Sequence, residues 1–146
     1  MIESSASCVI RKASSIADYA FLRVLRNEVR LRMTNNRGRI GVLQQLRFYL
    51  SPPPNLELYV AFVRGRRAGY LLLNRKPDTC MITEAVSDAF RRQGIGSQLI
   101  AFAKTRCDDL TADILVTNIP SIRLHEASGF VYQETVGEIA TYRYKR

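Results

Sequence analysis

The sequence predicts one α/β domain built on a mixed sheet, and three observations carry that expectation. Strand-length apolar runs and helical apolar spacings interleave along the chain, no segment repeats, and no Gly-, Ser- or Gln-rich tract divides it. At 146 residues the chain is long enough to bury most of the surface that its unfolded form exposes. A single domain over residues 1–146 is therefore expected, with no disulfide or metal needed as a staple.

Residues 7–12 read as a first strand. Ser15 then offers a cap for a helix whose Phe21, Leu22, Leu25 and Val29 share a face, while Arg23, Arg26 and Arg30 fall largely elsewhere. Asn35, Asn36 and Gly38 break that helix. A second one follows, with Leu43, Leu46 and Leu50 at helical spacing, and Pro52, Pro53 and Pro54 close it. Leu56, Leu58, Val60 and Phe62 alternate as a strand up to a turn at Arg64-Gly65-Arg66, and residues 68–73 return as its hairpin partner. Residues 81–86 form another strand, and Ile95, Leu99, Phe102, Ala103 and Arg106 then follow helical spacing. Residues 112–117 read as a buried strand. Pro120 begins a last helix that Gly129 ends, and two strands flank Gly137-Glu138.

Lysine and arginine number 22 against 13 acidic residues, a net charge of +9, which favours an anionic partner such as a phosphorylated cofactor, a nucleotide or a nucleic acid. An inert basic surface fits the same number, because these residues are scattered rather than gathered in a tail. The N-terminus has no basic segment followed by an apolar one, so no signal peptide is expected. The apolar runs are strand-length, so no membrane span is expected either. Cys8, Cys80 and Cys107 are odd in number and widely spaced, which fits reduced thiols and a cytoplasmic location. With His125 as the single histidine and no Cys-x-x-Cys, no metal site is expected.

The segment that carries chemistry is Arg91-Arg92-Gln93-Gly94-Ile95-Gly96-Ser97, between an apolar strand and an amphipathic helix. A glycine-rich turn there lets backbone N–H groups converge at a helix N-terminus, where phosphate oxygens are favoured. Glycines at 94 and 96 leave room for a ligand, and Arg91 and Arg92 supply full charges. An arginine-rich turn that holds no ligand fits the same residues. Neither the P-loop nor the dinucleotide pattern is present.

Arg91-x-x-Gly94-x-Gly96 resembles the acetyl-coenzyme A signature of the GNAT N-acetyltransferase superfamily. Downstream, the run from Asn118 through Ser121, Leu124 and His125 to Gly129-Phe130 resembles that family's second conserved block. The resemblance covers residues 79–134 by motif and the whole chain by element order. It implies the GNAT fold: a mostly antiparallel sheet of six or seven strands, splayed between the fourth and fifth and flanked by about four helices. It also implies acetyl-coenzyme A as acetyl donor, with the pyrophosphate held at Arg91 to Ser97. The main chain of Glu84, Ala85 and Val86 would hold the pantetheine arm, and Asn118 and Ser121 would contact it from the other side. Asn118 as an ordinary helix cap is the competing reading.

His125 stands where many members of the family carry a tyrosine that protonates the departing thiolate, and an imidazole can do the same work. A helix residue that only packs fits the position as well. Glu84 is the sole charged residue of its strand and, by the pleat, shares a side with Ile82 and Val86. It is the candidate base for the attacking amine, with an exposed strand position as the alternative.

On the acceptor side, residues 25–30, with Arg26-Asn27 followed by Arg30, and residues 40–49 resemble the branch that acetylates nucleotide-linked amino sugars, which implies Arg26, Asn27 and Glu84 as acceptor-binding residues. That branch's usual tryptophan is missing, and its second-helix histidine appears as Gln45. Protein amino termini, aminoglycosides and small amines remain open as acceptors, for a monomer or a homodimer. Two readings of other classes also stand: a basic nucleic-acid-binding module, and a GNAT domain that binds coenzyme A without catalysis.

Overall fold

The computed structural model describes residues 7–29 and 41–146, apart from the side chain of Gln45. The expected break at Asn35, Asn36 and Gly38 therefore lies outside the described residues, as does any comparison of Gln45 with a histidine. Strand β1 (Val9–Lys12) leads to helices α1 (Ile16–Val29) and α2 (Val42–Leu50). Strands β2 (Leu56–Val63), β3 (Arg66–Arg75) and β4 (Cys80–Val86) follow, then a short turn of 3-10 helix at Asp88–Phe90. Helix α3 (Ile95–Arg106), strand β5 (Asp109–Leu115), helix α4 (Ile119–Ala127) and strands β6 (Val131–Val136) and β7 (Ile139–Lys145) complete the chain.

These strands form one sheet in the order β1-β2-β3-β4-β5-β7-β6. Every neighbouring pair is antiparallel except β4 and β5. That parallel pair is held only at Cys80 against Leu110 and Met81 against Thr111. Beyond those two positions the strands part, as expected between the fourth and fifth.

The central strands are apolar on both sides because the sheet is covered on both. Residues of one parity, including Tyr59, Ala61, Leu71, Leu73 and Ile82, join Ile95, Leu99, Ile100 and Ala103 of α3 in the larger core. The opposite parity brings Leu58 and Tyr70 against Tyr19, Leu22, Leu25 and Val29 of α1. Burying such an aliphatic side chain fully stabilises the fold by about 2 kcal/mol relative to leaving it exposed.

The start of α1 is fastened by a charge that the helical pattern did not single out. Asp18 is fully buried and pairs with Arg11 of β1 and Arg67 of β3, each at 3.0 Å. It also accepts the backbone N–H groups of Ser14 and Ser15, while its own N–H donates to Ser15 Oγ at 3.1 Å. This reciprocal cap extends the one expected of Ser15.

Helix α2 differs from the expected pattern in the face it buries. Leu43, Leu46 and Leu50 are 61%, 41% and 70% exposed. Phe48 and Tyr49 face the core instead, with ring centroids 5.5 and 5.3 Å from Tyr19. Two aromatic rings bring more apolar surface to that contact than the leucines do. The strand expected at residues 112–117 begins earlier, at Asp109, and stops at Leu115.

Candidate active site

The parting of β4 and β5 leaves a cleft of about 580 Å³, walled by Glu84, Ala85 and Val86 on one side and by Ala112, Asp113 and Ile114 on the other. The start of α3 closes one end, and Asn118, Ser121, Leu124 and His125 of the α4 segment line it as well. Unpaired strand edges at such an opening present backbone N–H and C=O groups to whatever enters.

At the α3 end, Arg92 and Gly94 both adopt left-handed backbone, with φ of 61° and 77°. Gly94 is the N-cap of α3 and has no side chain to satisfy the first turn. The N–H groups of Ile95, Gly96 and Ser97 thus have neither an intrahelical nor a capping acceptor. A concave run of such donors at a positive helix end is an anion site. Arg91 and Arg92 border the same end of the cleft, and Arg91 Nε is held by Asp88 Oδ1 at 2.8 Å. This donor set fits a pyrophosphate.

Gly96 lines the cleft and has a further reason to be glycine. A Cβ there would stand 2.9 Å from Leu124 Cδ2, so the missing side chain lets α3 approach α4.

Glu84 and His125 meet inside the cleft. Glu84 Oε1 is 2.9 Å from His125 Nε2, and both side chains are nearly enclosed, at 8% and 2% exposure. The ring meets the carboxylate off the ideal hydrogen-bond line. On its far side, His125 Nδ1 is 2.7 Å from the carbonyl oxygen of Ser121. A carbonyl can only accept, so Nδ1 carries a proton. An unprotonated Nε2 would then turn its lone pair toward a carboxylate oxygen, so the contact calls for a proton between the two atoms. Burial alone would lower the pKa of His125; the charge and hydrogen bond of Glu84, with the Ser121 carbonyl, outweigh it and raise the pKa above the ordinary value. The pair sits in the wall of the cleft, with the proton-bearing form of the ring favoured by its neighbour.

Asn118 lines the cleft and also caps α4, where its Oδ1 accepts the N–H of Ser121 at 3.4 Å. The two readings of this residue are compatible.

A sequence model of the acetyltransferase (GNAT) family matches residues 22–130. The chain belongs to the GNAT acetyltransferase family. Its relatives include N-alpha-acetyltransferase 30 of Dictyostelium discoideum, 32% identical over 96 residues, which cover 58% of this chain and 50% of that protein. The chain thus spans about half the length of this relative. Among solved structures, a phosphinothricin acetyltransferase of Sinorhizobium meliloti in complex with acetyl-coenzyme A superposes with a TM-score of 0.78 at 22% identity, covering 94% of this chain and 88% of its own. A ribosomal-protein-alanine N-acetyltransferase of Brucella melitensis gives a TM-score of 0.74 at 21% identity, covering 94% and 99%. At these identities the structures establish a shared GNAT fold.

Most residues singled out in the sequence gather at the cleft of this GNAT domain. Glu84, Ala85, Val86, Arg91, Arg92, Gly94, Ile95, Gly96, Ser97, Asn118, Ser121 and His125 all line it. Gln93, Arg26 and Asn27 do not. The structure adds Thr83 and Asp113, polar lining residues that sequence reasoning missed. Their only signal was strand alternation beside the motif. Among the described residues, no group of His, Cys, Asp or Glu could hold a metal ion, and no helix is long and apolar enough to cross a membrane.

Proposed function

We propose that this chain is an N-acetyltransferase that moves an acetyl group from acetyl-coenzyme A to a primary amine by direct attack, and that residues 1–146 act as one catalytic domain. The observation that carries this reading is the contact of Glu84 with His125 in a cleft whose far end is an anion site. Bound acetyl-coenzyme A would supply a reactive thioester. The backbone donors at residues 95–97, with Arg91 and Arg92, are suited to its pyrophosphate, and the main chain of Glu84, Ala85 and Val86 to its arm.

The pair accounts for both proton transfers. His125 gives up the Nε2 proton as negative charge develops on sulfur, and Glu84 takes a proton from nitrogen as the new N–C bond forms. The 2.9 Å contact then returns that proton to Nε2, and the pair is restored. Acid and base are one unit in this reading rather than two separate residues.

For the acceptor we favour the α-amino group of a peptide. A relative named N-alpha-acetyltransferase 30 and a structural neighbour named for the N-acetylation of a ribosomal protein support it. Of the residues read as acceptor-binding in the amino-sugar reading, Arg26 and Asn27 lie on α1 outside the cleft lining, while Glu84 lines it and suits any amine. The test is an assay with acetyl-coenzyme A against peptides of varied first residue, nucleotide-linked amino sugars, aminoglycosides and phosphinothricin, with product mass as the readout. Acetylation of peptide α-amino groups is expected, and His125→Ala should lower that turnover at least about tenfold. A sugar or small amine as the best substrate would overturn the acceptor. No turnover on any amine, with coenzyme A still bound, would leave a non-catalytic binding domain.

A further inference from the structure

At the end of β4 away from Glu84, two thiols meet. Cys80 opens β4 and is 4% exposed within the larger core. Cys107 follows the last turn of α3 and is half-buried. The two side chains line one cavity and share Arg75 as a neighbour. Arg75, opposite Cys80 in the β3–β4 register, donates from Nη1 to Cys107 Sγ at 3.3 Å. Its guanidinium is held in turn by Glu57. Both cysteines line a second cavity of about 360 Å³, open to solvent among Lys76, Asp78, Arg106 and Asp109. Cys8 stands apart, its thiol donating to Gln98 Oε1 at 3.1 Å.

A buried cysteine usually acts as a small apolar residue. Here one sulfur is reached by solvent, has a fixed positive charge beside it, and shares its cavity with a second sulfur that can resolve its oxidation. We propose that Cys80 and Cys107 form a reversible disulfide when the protein meets a peroxide, stapling the C-terminal end of α3 to the start of β4. The steps balance. Cys107 sulfur attacks one peroxide oxygen, the O–O bond breaks, and water leaves as Cys107 becomes a sulfenic acid. Cys80 sulfur then attacks Cys107 sulfur and displaces the sulfenic oxygen, which leaves as a second water with the thiol proton. Two thiols are oxidised to one disulfide, and one peroxide is reduced to two waters. Burial, with the interaction of the Cys80 S–H with Cys107, pushes the pKa of Cys80 up to about 12, which leaves Cys107 to meet the oxidant first.

The bond would close a loop that contains β4, the anion-binding turn and all of α3. It would also lock the base of the cleft, where β4 is otherwise held to β5 at two positions. The staple should therefore raise stability by restricting the unfolded chain.

The test uses the full chain, reduced and then treated with equimolar hydrogen peroxide. Free thiols should fall from three to one, and peptide mapping without reductant should find Cys80 joined to Cys107. The melting temperature should rise on the order of 5 °C, and dithiothreitol should reverse both changes. Cys107→Ser should abolish crosslink and shift together. Cys80→Ser buries a hydroxyl and risks misfolding, so Cys80→Ala serves as the second variant. In it Cys107 should stop as a sulfenic acid that dimedone traps. The proposal is overturned if the parent keeps three thiols, if the crosslink involves Cys8 or a second chain, or if Cys107 passes to a sulfinic acid while Cys80 stays reduced.

Discussion

His125 is the single histidine of the chain, so its ring resonances report one imidazole without overlap. Its pKa is raised because Glu84 outweighs burial. With Glu84→Gln the burial stays and the compensating charge goes, so an NMR titration should find the pKa moved below the ordinary value of about 6.5. The effect on stability follows by linkage. A raised folded pKa adds stability that is full below about pH 6.5 and is lost as pH rises through the folded value. The parent should melt at lower temperature as pH climbs through that window, whereas Glu84→Gln, with its folded pKa below the unfolded one, should melt at higher temperature as pH climbs toward about 6.5. An unmoved His125 titration in the variant would mean that the two side chains are not coupled. The two motif glycines separate in the same way, by cause. Ala at position 94 must adopt φ of 77°, a strain of about 1 kcal/mol or more, in the turn that offers its N–H groups to an anion. Ala at position 96 meets only the flexible end of Leu124. Gly94→Ala should therefore weaken acetyl-coenzyme A binding in calorimetry more than Gly96→Ala does, and the reverse order would refute the distinction.

At the scale of elements, Asp18 joins β1, α1 and β3. Burial would raise its pKa, but the Ser14 N–H, Arg11, Arg67 and the Ser15 N–H together hold the carboxyl well below the usual carboxylate range. A depressed folded pKa gives stability that is present above about pH 4 and is lost as pH falls below it. Asp18→Ala removes the acceptor from two arginines and two backbone donors, and should cost about 3 kcal/mol at neutral pH. Its stability should also depend less on pH under acid than the parent's, and chemical unfolding from pH 7 downward would measure both effects. If the variant unfolds like the parent, the cluster is only a surface arrangement. The cap at Ser15 was legible because Ser-x-x-Asp is a local signal. The pairing of Asp18 with Arg67 was not, because β3 lies far along the chain and periodicity carries no information about such contacts. Helix α2 shows the same limit. Its leucines have the right spacing for a buried stripe, but which face is buried depends on where Tyr19 sits, a tertiary fact.

For the whole molecule, the strand and helix order was legible because both faces of the sheet are covered and turns punctuate the chain at residues with strong local preferences, such as Arg64-Gly65 and Gly137. The cleft residues were legible through two local motifs. Their meeting was not: Glu84 and His125 come together only because β4 and β5 part after two register positions, which a sequence does not display. The same parting bears on how charge is used. The net charge of +9 is spread over the surface, while the anion site is a specific end of one helix with Arg91 and Arg92 beside it. Acetyl-coenzyme A at a hundred times its Kd should stabilise the folded chain by about 2.7 kcal/mol, a rise of roughly 8 °C in melting temperature for a domain of this size. Part of that binding is the attraction of phosphates to exposed arginines, so the rise should shrink as salt goes from about 0.05 to 0.5 M and the Debye length shortens. The backbone donors are fixed in place and less screened, so a remainder should persist at high salt. Arg92→Ala should lower the rise at low salt toward that remainder and leave a weaker salt dependence. A rise that salt abolishes entirely, or that nucleic acid reproduces without coenzyme A, would mean that the charge acts as a general basic surface and not as part of a cofactor site.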